Sequence, residues 1–267
     1  MTPHQQTQLR LAYKAAGPRV RRYLQALLPQ TEVRFAGVEL LVNPQDNFTE
    51  QCIWMTGAPP EVQSLAKLTE IVQDKRVLVL DIGGNCGAFT VPLAFAAGDG
   101  SRVIAFEPNP VMMGRLGENV RRNDLGHVVR IEGCALGAEE GEATLLLRAG
   151  NYGQASLKGV TSGRQEGSVC VPVRTLEPYL KGADAYDVSL IKIDVEGFEE
   201  SVLLPWLDQA GDVDMPDAIL IETEHAADWD VDLIGRIEAA GYSSRFEGEG
   251  NTLFVRVAGK LNDKIAA

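Results

Sequence analysis

The sequence predicts a doubly wound α/β fold, a mostly parallel β-sheet with helices packed on both faces. Two observations carry that expectation. Short runs rich in Val, Leu and Ile, such as "RVLVLDI" (76–82), "SLIKIDV" (189–195) and "DAILIET" (217–223), read as strands buried on both faces. Segments of helical periodicity separate these runs, and alternation of strand with helix is the pattern of a parallel sheet. With 267 residues, 45% of them hydrophobic, the chain has enough apolar material for a sizeable core.

From the N-terminus, Leu9, Tyr13, Val20, Leu24 and Leu27 recur at helical spacing, and Gly17-Pro18 divides residues 3–28 into two helices. "EVRFAGVELLV" (32–42) predicts two short strands turning at Ala36-Gly37. Val62, Leu65, Leu68 and Val72 place an amphipathic helix over 61–73. The first buried strand, 76–82, leads through a glycine-rich turn to a helix over 88–97, where Pro92 is tolerated because it lies near the first turn. "RVIAFE" (102–107) is a second strand, 111–123 a helix, and "HVVRIEG" (127–133) a third strand. "EATLLL" (142–147) and "SVCVPV" (168–173) then read as extra strands bracketing a Gly- and Ser-rich loop, 148–167. A loop this long inside a domain points to function, because it follows a buried strand on the side where ligands of such sheets sit. The strands at 189–195 and 217–223 flank a helix at 199–209; a helix at 231–240 precedes the last strand, "NTLFVRV" (251–257). The expected organisation is an N-terminal part, residues 1–60, serving as a lid or as the contact of a homodimer, and a main domain, 61–267, with a hairpin inserted at about 140–174.

Charge and cysteine usage narrow the function classes. The chain has 25 basic and 37 acidic residues, a formal net charge of −12. Long-range repulsion then opposes encounters with nucleic acid and with anionic lipid, so neither is an expected partner. Arg10, Lys14, Arg19, Arg21 and Arg22 cluster near the N-terminus and read as a solvated helix face. Cys52, Cys86, Cys134 and Cys170 form no CxxC pair and read as reduced, partly buried thiols. The opening "MTPHQQTQLR" lacks the apolar core of a signal peptide, and no apolar run approaches the ~18–20 residues that span a bilayer. A cytoplasmic location is expected.

The chemistry concentrates in "VLVLDIGGNCGAFTVPLA" (77–94). A strand, a glycine turn and a helix form a place where backbone approaches a ligand and free N–H groups face it. The spacing is not G-x-G-x-x-G, and Asp81 stands directly before the turn, where its charge repels a pyrophosphate but suits an ammonium or sulfonium group. That favours S-adenosylmethionine over NAD. The next strand ends in Glu107, about 20 residues beyond Gly87, where an acid accepts hydrogen bonds from both ribose hydroxyls.

"VLDIGGNCGAFT", "FEPNP", "CALG" and "IKIDVEGFE" resemble the successive motifs of the FkbM family of S-adenosylmethionine-dependent methyltransferases, over about residues 57–225. The resemblance implies the class I methyltransferase fold, a Rossmann-like seven-stranded sheet whose last strand is antiparallel. It also implies, for many members, O-methylation of a hydroxyl on a small molecule, sugar or natural-product scaffold. Gly84 and Cys86 depart modestly from the family pattern, and "GAPPE" (57–61) is proline-rich where an aromatic often precedes Glu61.

On that resemblance, Asp81, Gly83, Gly84 and Gly87 form the floor under the methionine half of the cofactor, with Asp81 favouring its ammonium. Asn85 either tolerates a left-handed turn or touches the ligand. Glu107 binds ribose, and Asn109 is counted with that turn, where it also suits the cap of the next helix. Cys134 and Ala135 offer backbone to the adenine amine. Asp194 lies beside the transferable methyl; Lys192, two residues back on the same strand face, either pairs with it or orients the acceptor. His225 is the histidine positioned to reach the pocket as general base, with Glu222 and Glu224 flanking it as tautomer holders or as the base itself. Asn151, Tyr152 and Ser156 in the long loop, together with Glu196, Glu222 and Glu224, are the expected acceptor contacts. A magnesium ion on Asp194, Glu222 and Glu224 is a less favoured alternative. Rival readings are a dehydrogenase, an N-methyltransferase of a small molecule or protein, and a non-catalytic protein that keeps the cofactor pocket.

Overall fold

The computed structural model describes residues 3–148, 150–155, 165–208 and 215–261. Two helices, α1 (Pro3–Ala15) and α2 (Pro18–Gln25), open the chain and break at Gly17-Pro18, since Pro18 suits a helix start and not a helix interior. β1 (Thr31–Phe35) and β2 (Val38–Val42) pair antiparallel about Ala36-Gly37. Two helices follow, α3 (Phe48–Thr56) and α4 (Val62–Val72). The alternating region comprises β3 (Val77–Ile82), α5 (Thr90–Ala96), β4 (Arg102–Phe106), α6 (Pro110–Arg122) and β5 (Val129–Glu132). A side sheet of β6 (Ala135–Leu136), β7 (Gly141–Arg148) and β8 (Gln165–Arg174), in the order β6-β8-β7, interrupts it. After the single turn α7 (Glu177–Leu180) come β9 (Val188–Ile193), α8 (Glu199–Leu207), β10 (Ala218–Glu222), α9 (Leu233–Ala239), β11 (Tyr242–Gly248) and β12 (Asn251–Arg256).

The central sheet has seven strands in the order β5-β4-β3-β9-β10-β12-β11. Neighbours from β5 to β10 are parallel, and β12, last in the chain, runs antiparallel to both β10 and β11. This is the class I methyltransferase sheet. Every residue of β3 and β9 is buried, the polar Asp81, Ser189 and Lys192 among them, as expected of central strands covered on both faces. Val77 and Val79 face one core while Leu78, Leu80 and Ile82 face the other, the period of two expected of a strand between two helical layers. Tyr13, Val38, Leu40 and Trp54 belong to the first of those cores, so the N-terminal segment and the sheet share one apolar cluster. Strand order reverses between β3 and β9, and the crevice beyond their carboxyl ends is where such sheets bind ligands.

Besides the two-residue strand β6 and the single turn α7, two longer elements escaped the sequence pattern. β11 is an edge strand whose alternation is broken by a bulge between Ser244 and Phe246, so no period of two survives to be read. In α3 the apolar residues Cys52, Ile53, Trp54 and Met55 are consecutive, which hides the helical stripe; Asn47 starts the helix by accepting from the Glu50 N–H at 2.8 Å.

One buried charge network fixes α3 to α6. Glu50 is fully buried, accepts from the Asn43 N–H at 2.9 Å and pairs with Arg115, which also holds Asp46 at 2.8 Å. Burial lifts the Glu50 carboxyl to about 7 even beside the guanidinium. Replacing Arg115 by Met is expected to cost about 3 kcal/mol in denaturant unfolding, because it strands a buried acid. The double variant Glu50→Gln/Arg115→Met should recover a measurable part of that loss.

Candidate active site

The site begins at the end of β3. Gly83 has φ +85°, and a Cβ there would lie 2.0 Å from the Asp194 carbonyl oxygen. A side chain is excluded because the backbones of β3 and β9 converge at this point; the Asp194 N–H donates to the Ile82 carbonyl at 3.1 Å. The Gly83 and Gly84 N–H groups both donate to the Phe106 carbonyl at 3.0 Å, which ties the turn to the end of β4. Asn85 adopts φ +50°, and its Oδ1 accepts from the Cys86 N–H and from Asn47 Nδ2, each at 2.8 Å. Gly84 and Gly87 lie against Leu116 of α6, behind the turn.

Under the turn sits a buried charge cluster. Asp81 is fully buried, accepts from Thr90 Oγ1, and faces Lys192 Nζ at 3.5 Å. Lys192 Nζ also donates to the Gly83 carbonyl at 3.0 Å and lies 3.6 Å from Asp194 Oδ2. Burial raises the Asp81 carboxyl, opposed by Lys192 and the Thr90 hydroxyl. Burial works against the Lys192 charge as well, but Asp194 and Asp81 outweigh it and hold the ammonium above its ordinary value. Lys192 thus props the turn from beneath.

Two recesses open above. The first, about 570 Å³, is lined by apolar groups that include Ile82, Phe106, Cys134, Ala135, Leu136, Leu145, Tyr152 and Phe198. The second, about 1110 Å³ and open to solvent, is walled by Glu61, Glu107, Asp194, Glu196, Glu222, Glu224 and Glu249, with Phe48, Thr49, Pro60, Asn85, Asn151 and Gln154. Gly83, Glu107, Gly153, Asp194 and Glu196 line both, so the recesses meet at the carboxyl ends of β3 and β9. Glu107 stands at that junction, 7% exposed, with its two oxygens accepting the Asn85 and Asn109 N–H groups at 2.8 Å. Burial outweighs those bonds and lifts its carboxyl to about 7.

The sequence-predicted residues separate into those that face the recesses and those that hold them. Gly83, Asn85, Glu107, Cys134, Ala135, Asn151, Tyr152, Asp194, Glu196, Glu222 and Glu224 face one or both. Asp81, Gly84, Gly87 and Lys192 lie behind the turn. Asn109 is buried, caps α6 through the Val111 N–H at 3.0 Å, and donates to the Tyr152 carbonyl at 2.9 Å. Ser156 lies outside the described residues. His225 lines neither recess; its Nε2 lies 3.6 Å from Glu196 Oε2 and its Nδ1 3.7 Å from Asp228 Oδ2.

Glu196 is aimed by its turn. It has φ +56° and Gly197 φ +89°, and the buried Glu199 carboxylate gathers the Val195 and Gly197 N–H groups at 3.0 and 3.1 Å. Trp229 Nε1 donates to the other Glu199 oxygen at 3.1 Å. Burial and the nearby Asp194 lift Glu196 to about 8, and the same two causes, in that order, push Glu61 to about 7 and Glu222 to about 10. Glu61, Glu249, Phe48, Thr49 and Gln154 were not singled out from the sequence as site residues; they come from four separate segments that only the fold brings together. Glu249, at the β11–β12 turn, also accepts from the Gln63 and Ser64 N–H groups, so it caps α4 from another part of the chain. Among the described residues no group of three or more His, Cys, Asp or Glu side chains is arranged to hold a metal ion.

Residues 81–244 match the family model described as the methyltransferase FkbM domain. The chain belongs to the FkbM methyltransferase family. It is therefore an S-adenosylmethionine-dependent methyltransferase with a Rossmann-like fold. Solved structures similar to this FkbM chain include M. jannaschii TYW2 in complex with AdoMet, 15% identical, covering 86% of this chain and 88% of that one, with a TM-score of 0.44. Magnesium protoporphyrin IX methyltransferase (ChlM) from Synechocystis PCC 6803 with bound SAM is 14% identical, covering 94% of this chain and 96% of that one, with a TM-score of 0.44. Against curated protein sequences the chain has no significant match.

The residues present fit the cofactor. When bound, S-adenosylmethionine supplies a methyl group already activated on a sulfonium. The apolar recess has the character a purine needs, with Phe106, Cys134, Ala135, Leu136 and Phe198 among its lining. Glu107 at the junction would hold the ribose hydroxyls, and Asp194 and Gly83 would face the methionine end.

Glu107→Ala is expected to weaken S-adenosylmethionine binding about 10-fold or more in calorimetric titration, with an unchanged circular dichroism spectrum, as the loss of charge-assisted hydrogen bonds requires. A second expectation concerns pH. Glu61, Glu107 and Glu196 are lifted to about 7, 7 and 8, so between the usual carboxylate range and about 8 the folded protein holds protons that the unfolded chain releases. Stability without added cofactor should therefore fall as pH rises through that window, read as a lower melting temperature at the alkaline end.

Proposed function

We propose that this FkbM methyltransferase acts on a hydroxyl oxygen of a small molecule or glycan, with Glu196 as the general base. The observation that carries the reading is the acid-walled recess joined to the cofactor recess at Asp194 and Glu196. An acceptor hydroxyl must lose its proton as the new C–O bond forms, and a carboxylate lifted to about 8 is a competent acceptor of that proton near neutral pH. His225, 3.6 Å from Glu196 Oε2 and outside both recesses, positions that carboxylate. Asn151 and Gln154 on one wall, and Glu222 and Glu224 on the other, provide hydrogen-bonding partners for a polyhydroxylated acceptor. The same carboxylates repel phosphate-rich ligands, which supports a non-nucleic-acid acceptor.

Orientation is the other contribution of the chain. Gly153 sits against Asn47 and Asn85, where a Cβ would meet their Nδ2 atoms at 2.6 and 2.8 Å. The Tyr152 N–H donates to the Asp46 carbonyl at 2.8 Å, and Asn151 Oδ1 accepts from the Phe48 N–H at 3.1 Å. The loop and the start of α3 thus close one wall over the glycine turn, which limits water and fixes the acceptor approach. The nitrogen-acceptor reading draws on the same wall, since carboxylates attract a protonated amine.

Glu196→Gln is expected to lower kcat about 10²-fold. In the parent enzyme kcat/KM should rise with pH and level above about 8, because Glu196 becomes a base only when deprotonated, and the variant should lose that limb. His225→Ala should lower kcat less and shift the limb. Full activity of Glu196→Gln with the limb intact would move the base to Asp194 or Glu224. Mass spectrometry of products from matched hydroxyl and amine acceptors separates oxygen from nitrogen transfer.

A further inference from the structure

Charge in this chain is segregated to an extent that the net value hides. Residues 1–31 contain Arg10, Lys14, Arg19, Arg21 and Arg22 and no acidic residue, so the acids all lie in the remaining chain. The fold presents this segment outward. Leu9, Tyr13, Leu24 and Leu28 pack into the core, and Tyr13 meets the Trp54 ring edge-on at 6.0 Å. No residue of α2 is buried. Leu11 is 62%, Val20 53%, Tyr23 79% and Leu27 76% exposed, with Lys14, Arg19 and Arg22 exposed among them. Val20 and Tyr23 lie about one turn apart on α2 and Leu27 follows its end, with Arg19 and Arg22 beside them.

We propose that this basic, apolar face of α1 and α2 docks the enzyme on an anionic lipid surface. An amphipathic helix with aliphatic and aromatic groups on one side and Arg or Lys flanking them is built to lie in the headgroup region. Its charge complements such a surface at short range, while salt screens acids that lie more than a Debye length away. Among the described residues no helix is long and apolar enough to cross a membrane, so the contact is peripheral. A second copy fits less well. A two-fold contact would set Lys14, Arg19 and Arg22 against their own copies with no acid in the segment to offset them. Nucleic acid would meet the cations but leaves Val20 and Leu27 without a role. The packed side of α1 adjoins the site wall, because Tyr13 Oη accepts from Gln51 Nε2 at 2.7 Å, about one turn along α3 from Phe48 and Thr49.

The test is co-sedimentation of the full chain with phosphatidylcholine vesicles, with and without about a quarter phosphatidylserine. Binding is expected only to the phosphatidylserine vesicles, with loss at about 0.5 M salt. Arg19→Glu/Arg22→Glu and Tyr23→Ser/Leu27→Ser should each weaken it about 10-fold or more while calorimetric S-adenosylmethionine binding stays unchanged. No binding to either vesicle overturns the proposal, as does binding that survives both double variants. Dimerisation in light scattering that the same variants abolish, or displacement from vesicles by an oligonucleotide, overturns it in favour of a second copy or a nucleic acid.

Discussion

The contact between the Gly83 backbone and the Asp194 carbonyl is the constraint on which the rest depends. A parallel sheet of this order leaves a crevice where strand order reverses, but only a residue without a Cβ lets β3 and β9 converge as closely as they do here. That convergence sets Glu107 from the neighbouring strand, Asp194, and the Glu196 turn around a single opening. It also places the Gly83 carbonyl over Lys192, so the ammonium that balances Asp81 and Asp194 also supports the turn.

Electrostatics divides the opening into two kinds of surface. The cation that answers the acids, Lys192, is buried below the turn, and the recess above it is walled by carboxylates from the ends of β9 and β10, from Glu61 and from the β11–β12 turn. Burial and mutual repulsion lift several of these groups toward or beyond neutrality. A wall of this kind is complementary to a ligand that brings positive charge.

The walls themselves are borrowed from far along the chain. Asn47 caps α3 with its Oδ1 and holds Asn85 with its Nδ2, so one side chain joins the N-terminal segment to the glycine turn. Glu249 does the corresponding work at the start of α4. Both segments share the apolar core of the sheet, which makes the recess walls part of the packed structure.

The sequence by itself determined the strand runs, the glycine turn, the acid at the end of the second strand and the motif that carries Asp194 and Glu196, because each is local: a run, a spacing or a residue required by a turn. It left α3 and β11 hidden, the one by clustered apolar residues and the other by a bulge on an edge strand. It singled out His225 from its position after a strand; in the fold the imidazole lies 3.6 Å from Glu196 Oε2 and lines neither recess. Tertiary structure alone decided which acids share a wall, since Glu61, Glu196, Glu222 and Glu249 are far apart in the chain and meet only through packing. It decided Asp81 as well: facing Lys192 and Thr90 beneath the turn is a consequence of strand direction and burial, which no spacing along the chain records.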